Sequence, residues 1–493
     1  MKPSFKKIVL LMLSAVLLTG VLAGCVKFDS NENSRVPTTE AVTTEAAATE
    51  VQTTGGGESE GNTETAAEIK ASAKTEEKLA QSNMKLPSTF LGVTPEEYEI
   101  VNNNGHFVKV GKLIYFHIPD ADSMDKSAIW GDYADRDTGR TVLFAYNPGP
   151  DDVDDVEGID AKAGEALPIL YDYTSGTIGV EDDFLYSQGY KTTDEPNFND
   201  FVVKGYSYVT GYEFTKETTG AEYFLGASPD GSYTASHHHD YVAEQSTNTI
   251  SIYRYGCLNK TIVLPEFCTV IKLGNESIYY ITEAGNDRYW LMELNIETEE
   301  ATQLGLLPQY ENTGWYGEVD ECILKDDGIY LTYSFYEGTG HFLTKGYYVE
   351  AVPGEPGSLK FSDMPEKKEY DDLTLAYFAV INGKMVPSDG VPGTCKVDEN
   401  GVLGYYDENG KWVKVSEGWK YDYKNEEGDF SGVELAEKIG DDIYLIVNDN
   451  KRAPEDDIGW RYAYVRNYMN VFRVSIKTGE AELILHQAAP WAD

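Results

Sequence analysis

Gly111-Lys112-Leu113-Ile114-Tyr115-Phe116 is a turn followed by alternating β-branched and aromatic residues, and the phrase recurs along the chain. It returns as Glu276-Ser277-Ile278-Tyr279-Tyr280-Ile281, as Asp327-Gly328-Ile329-Tyr330-Leu331 and as Asp441-Asp442-Ile443-Tyr444-Leu445-Ile446. Such alternation marks strands, and the Gly, Asp and Ser ahead of it mark tight turns. The isoleucines are 164, 51 and 114 residues apart, close to three, one and two units of about 54. A unit of that size cannot bury its faces alone and must stack on copies of itself. The spacing therefore predicts an all-β fold, a β-propeller of about seven four-stranded blades within a range of six to eight. Two packed β domains are the alternative.

Two units show more of the blade. Tyr289 to Asn295, a turn at Glu297 to Glu300, then Ala301 to Leu304 is strand, turn, strand; Val471 to Ile476, Lys477-Thr478-Gly479-Glu480 and Ala481 to Leu485 repeat it. In the middle, Ser228-Pro229-Asp230-Gly231 resembles the turn of TolB-type propellers, and the whole phrase resembles the repeat of propeller lipoproteins in Gram-positive bacteria. The resemblance implies the fold and carries no catalytic residue. Residues 150–225 and 350–430 fit the repeat poorly, although Asp398-Glu399-Asn400-Gly401 and Asp407-Glu408-Asn409-Gly410 mark turns there.

The N-terminus is of another kind. Lys2, Lys6 and Lys7 precede an apolar run from Ile8 to Leu22, which is short for a spanning helix and suits a secretory signal. Leu22-Ala23-Gly24-Cys25 resembles the processing box of bacterial lipoproteins. That resemblance implies a signal peptide over 1–24, a diacylglyceryl thioether on Cys25, and a mature protein held by lipid at the outer face of the membrane. Residues 25–90 are rich in Thr, Ala, Glu and Gly, with few bulky apolar residues. Such a segment cannot offset its chain entropy and is expected to be a flexible tether; the propeller then occupies 91–493.

The chain holds 83 Asp and Glu against 40 Lys and Arg, a net charge of −43. The signal carries +3 and the tether −5, so residues 91–493 carry −41. That excess repels phosphate backbones, which excludes nucleic acid as a partner and leaves the lipid anchor as the expected membrane contact. No cofactor is expected.

Four cysteines follow Cys25: Cys257, Cys268, Cys322 and Cys395. Outside the cell an even number permits two disulfides in three connectivities. Cys257 and Cys268 flank a short segment and are the candidate pair; buried free thiols are the alternative. His237-His238-His239-Asp240 is the one histidine cluster. On a strand His237 and His239 share a face, so with Asp240 they are weak metal candidates that lack further ligands. The acidic doublets lack the spacing of a calcium loop, and nucleophile and phosphate-loop motifs are missing.

The reading is a non-enzymatic binding or interaction module for an extracytoplasmic glycan, peptide or protein. A glycan-active enzyme with carboxylates at the propeller axis is the alternative. Loop length places the expected site. Only Thr282 to Arg288 separates two strands in the Ile278 unit, whereas the first unit has a gap from Ile118 to Arg140 holding Trp130, Asp132 and Tyr133. The last unit has one from Asn448 to Tyr468 holding Trp460, Arg461, Tyr462 and Arg466. Long loops in a compact fold are commonly functional. Closure of the ring makes the first and last units neighbours, so these residues are expected to share one rim.

Overall fold

A computed structural model describes residues 99–488 apart from connecting segments, the longest at 120–140, 191–200, 310–316, 365–376 and 453–463. Residues 1–98, with Cys25 and the expected signal and tether, lie outside the described residues. Every element described is a strand or turn.

Blade one comprises β1 (Ile100–Val101), β2 (Phe107–Val110), β3 (Leu113–Pro119) and β4 (Thr141–Tyr146), then a small hairpin of β5 (Val153–Val156) and β6 (Ile159–Ala161), then β7 (Ala166–Tyr173). Blade two holds β8 (Gly179–Glu181), β9 (Phe184–Tyr190), β10 (Phe201–Ser207) and β11 (Glu213–Thr218). Blade three holds β12 (Glu222–Ala227), β13 (Thr234–Asp240), β14 (Thr247–Arg254) and β15 (Cys257–Val263). Blade four holds β16 (Cys268–Leu273), β17 (Ser277–Gly285), β18 (Arg288–Asn295) and β19 (Ala301–Leu306). Blade five holds β20 (Gly317–Lys325), β21 (Gly328–Glu337), β22 (Phe342–Ala351) and β23 (Lys360–Asp363). The sixth unit is split into a hairpin, β24 (Phe378–Ile381) with β25 (Lys384–Pro387), and a three-stranded sheet, β26 (Cys395–Val397), β27 (Val402–Tyr406) and β28 (Trp412–Glu417). Blade seven holds β29 (Tyr423–Lys424), β30 (Phe430–Ile439), β31 (Asp442–Arg452), β32 (Tyr464–Ser475) and β33 (Ala481–Ala488).

The repeated phrase marks the second strand of its blade each time. Ile114, Ile278, Ile329 and Ile443 stand in β3, β17, β21 and β31, which places them in blades one, four, five and seven. The steps of three, one and two units are therefore steps of three, one and two blades. Residues 150–225, which fitted the repeat poorly, contain a complete blade two; residues 350–430 contain the split unit.

Seven apolar clusters stitch the ring, each joining two neighbours. Val108, Tyr115 and Leu143 meet Ile178 and Leu185 between blades one and two. Phe184 and Tyr186 meet Phe224 between two and three. Ile250 and Ile252 meet Ile278 and Tyr280, and Leu291 meets Leu331 and Val349. Tyr330 and Tyr348 meet Phe378, Val397 and Leu403 meet Leu445, and Ile446 and Val471 meet Phe116 and Val142 to return to blade one. Period-two alternation supplies two apolar faces per blade, one for each neighbour. The tyrosine of the phrase is buried in this packing: Tyr115, Tyr279, Tyr330 and Tyr444 are each at most 5% exposed.

No described sheet combines strands from both ends of the chain; among the described residues, side chains join blade seven to blade one. Phe107 and Tyr444 pack with ring centres 5.5 Å apart. Arg473 donates to the Pro148 carbonyl at 2.9 Å and pairs with Asp442 at 2.9 Å. Glu437 of β30 accepts the backbone N–H groups of His106 at 3.1 Å and Phe107 at 2.9 Å, and the Asn102 amide at 2.7 Å.

Candidate functional site

The first strands of successive blades line the axis, β8 touching β12, β12 touching β16, β16 touching β20, and β30 touching both β26 and β2. β1 pairs with β2 on the side away from β3 and so lies inside that ring. Between β1 and β2 sits Asn102-Asn103-Asn104, with φ of 64° at Asn102 and 67° at Asn104, a left-handed conformation that Asn tolerates better than most residues. Together the three amides reach blades seven, two and three. Asn102 reaches Glu437 of blade seven. Asn103 accepts from Val180 N and donates to the carbonyls of Val180 and Ser228, tying blade two to blade three. Asn104 exchanges two hydrogen bonds with the Ala227 backbone, at 2.7 and 2.8 Å. Gly226, at φ 107°, admits this contact, since a Cβ there would stand 2.5 Å from Asn104 Oδ1. This hub was not foreseen; the run of three Asn before the first phrase was its only signal.

The described chain enters beside the turn between the first two strands of blade one. Gly111 N donates to the Glu99 carbonyl at 3.0 Å, and Lys109 pairs with Glu99 at 2.5 Å. From that end β3 runs to Pro119 and β31 to Arg452, so the connections 120–140 and 453–463 leave the opposite end of neighbouring blades. Gln487 of β33 donates to the Pro119 carbonyl at 2.5 Å and holds the two blades together there. Asn448 of β31 donates to Glu434 at the same end, and its own Oδ1 is buried without a partner. Trp130, Asp132, Tyr133, Trp460, Arg461 and Tyr462 lie outside the described residues. Arg466 is on β32 opposite Asn450.

Four first strands carry a bulge, at Leu225, Ile271, Asp320 and Glu434. A bulge turns one residue out of the ladder, and in β20 and β30 that residue is acidic. Glu318 and Glu321, on the same β20, have their carboxyls raised above the usual range by burial; Lys272 on neighbouring β16 opposes the shift at Glu321.

His237 and His239 stack on one face of β13, 5.9 Å between centres. Both are buried, and Asp240 closes the strand. Among the described residues no group of three or more His, Cys, Asp or Glu is placed to hold a metal. His237 Nε2 contacts Asn248 Oδ1, and Asn248 donates to Cys268 Sγ at 3.0 Å. The amide stands between imidazole and thiol, and burial pushes the Cys268 thiol to about 12. A proton cannot pass directly from Cys268 to His237, so the three groups do not make a nucleophile.

Cys268 is a free thiol, as are Cys322 and Cys395, so the bridge to Cys257 is not formed. Cys257 opens β15 and Cys268 opens β16 of the next blade; they do not close a hairpin. Burial raises Cys322 and Cys395 to about 12 as well.

No family model matches the chain, and no curated protein matches it. Among solved structures it is similar to a prolyl endopeptidase, at 13% identity and TM-score 0.40, over 85% of this chain and 54% of that one. It is similar to a polysaccharide lyase, an ulvan lyase, at 10% identity and TM-score 0.39, over 78% and 96%. It is also similar to the propeller domain of the trilobed protease of Pyrococcus furiosus, at 12% identity and TM-score 0.33, over 64% and 97%. The chain spans about half the length of the peptidase chains it matches. Residue roles do not transfer at such identities; the chain is an all-β propeller, and those activities are stated of those proteins alone.

Proposed function

We propose that the protein is a lipid-anchored extracytoplasmic propeller that works as a binding module for an envelope glycan, peptide or protein. One observation carries this reading. The two longest connections between second and third strands leave adjacent blades at the end opposite to the chain's entry, and both contain Trp, Tyr and charged residues. Aromatic faces beside arginine suit ligands with flat rings and carboxylate or hydroxyl groups. The test is a panel of envelope glycans and peptides offered to the parent and to Trp130→Ala and Trp460→Ala. Binding weakened about tenfold or more by either change supports the reading, since a central aromatic anchor commonly accounts for that much. Binding unchanged in both removes this rim as the site.

A glycan-active enzyme is the second reading, favoured by the two half-buried carboxyls on β20, both shifted upward by desolvation. Desolvation raises the proton affinity of a carboxyl, which is the direction a general acid for a leaving oxygen needs. Product formation from any panel glycan, abolished by Glu318→Gln or Glu321→Gln, would establish it over the first.

A further inference from the structure

The split sixth unit presents a sheet face unlike any blade face above. In β26–β28, Lys396 stands opposite Gly404, and Gly404 opposite Lys414; Tyr406 stands opposite Trp412. Opposed residues share a face. The other face, with Cys395, Val397 and Leu403, packs on blade seven. On the first face Trp412 lies across Gly404, where a Cβ would stand 2.5 Å from the indole. Tyr406 braces the indole at 5.2 Å between ring centres. Lys396 Nζ stands 5.1 Å from the Tyr406 ring centre and 5.8 Å from that of Trp412. Lys396 is exposed, Trp412 half-buried, and the Lys414 side chain 54% exposed.

Lys414 pairs with Glu417, itself 66% exposed, and an exposed pair of this kind is weak and readily exchanged for another anion. Asp398 turns its Oδ1 to the N–H groups of Asn400 and Val402, and Asp407 to those of Asn409 and Lys411. The carboxylates of Asp398 and Asp407 are thus engaged in their own turns. An aromatic platform flanked by two lysines results, in a domain of charge −41.

We propose that this face binds a carboxylated glycan, with a sugar ring on Trp412 and its carboxylate within reach of Lys396 and Lys414. A uronic acid carries ring and charge in one unit, which matches an indole with the Lys396 ammonium 5.8 Å from its ring centre; a poly(glycerol phosphate) has charge but no ring to cover the indole. The inference rests on the reading of the protein as an envelope-glycan binder, yet places a site on the sixth unit, apart from the rim of blades one and seven.

The test is affinity electrophoresis of the full chain in gels containing polygalacturonate, dextran, poly(glycerol phosphate) or polyglutamate. Polygalacturonate alone should retard the parent. Lys396→Gln and Lys414→Gln should each weaken retardation about tenfold, the worth of one charge-assisted contact, and Trp412→Ala should abolish it. Melting curves accompany each variant; if Trp412→Ala unfolds, the lysine variants decide. The site is overturned if polygalacturonate does not retard the parent, if the double lysine variant binds as the parent does, or if dextran, poly(glycerol phosphate) or polyglutamate binds equally well. Glycan binding lost instead with Trp130→Ala or Trp460→Ala would sink this site and leave the general reading standing. Failure of every glycan and peptide tested would sink both.

Discussion

Asn104 and Glu437 show how single side chains replace an exchanged strand. Asn104 pairs with both backbone groups of Ala227, and Glu437 holds the amides of His106 and Phe107. Truncating either strands partly buried donors or acceptors, at about 1–3 kcal/mol each. Asn104→Ala and Glu437→Ala should therefore each lower the urea midpoint by that equivalent, whereas Asn409→Ala, at an exposed turn, should change it little. His117 gives a pH signature. Burial, then the charge of His106, lowers its imidazole from 6.5 to about 3, against the Gly176 carbonyl it contacts at 2.6 Å. With the folded value depressed, the unfolded chain binds the proton first as pH falls. This contribution to stability is complete above about 6.5 and is lost progressively toward about 3. The melting temperature should fall over that window, and His117→Gln should flatten the fall; parallel curves for both proteins would assign the loss to other groups.

At the scale of elements, the β1–β2 hairpin is the ring's latch. β1 has only two residues, Ile100 and Val101, paired to Lys109 and Val110, yet its loop touches blades seven, two and three. A chain beginning at Phe107 keeps every regular blade but loses the Asn hub. Its inner strands β8, β12 and β30 should then exchange amide hydrogens faster than in the parent, while β17 and β21 across the ring stay protected; uniform protection throughout would show that packing alone closes the ring. The repeat was most legible where a blade has a two-residue turn and Ile-Tyr. Blade two keeps the pattern as Asp182-Asp183-Phe184-Leu185-Tyr186, with Leu in place of Ile. A search for Ile-Tyr passes over it. The sixth unit keeps Asn382-Gly383-Lys384-Met385-Val386 without tyrosine, and its sheet is divided.

For the whole molecule, charge and address dominate. A domain at −41 repels itself, and mobile ions screen that repulsion. The melting temperature should rise from low to moderate NaCl; a fall would mean that pairs such as Arg473–Asp442 outweigh the general repulsion. Cys25→Ala should release the protein from the membrane fraction and leave an unlipidated N-terminus by mass. Membrane retention of that variant with the signal removed would refute the lipid anchor.

The sequence by itself determined the strand pattern, the repeat length and the blade steps between Ile114, Ile278, Ile329 and Ile443, because alternation and turn chemistry act between residues close in the chain. It also carried the net charge and the Leu22-Ala23-Gly24-Cys25 stretch on which the proposed anchor rests. Only the tertiary structure decided that Asn102 to Asn104 sit at the axis, that Cys268 stands apart from Cys257, and that Lys396, Trp412 and Lys414 share one sheet face. Those outcomes depend on which blades become neighbours and on strand register, which arise from packing between segments far apart in sequence.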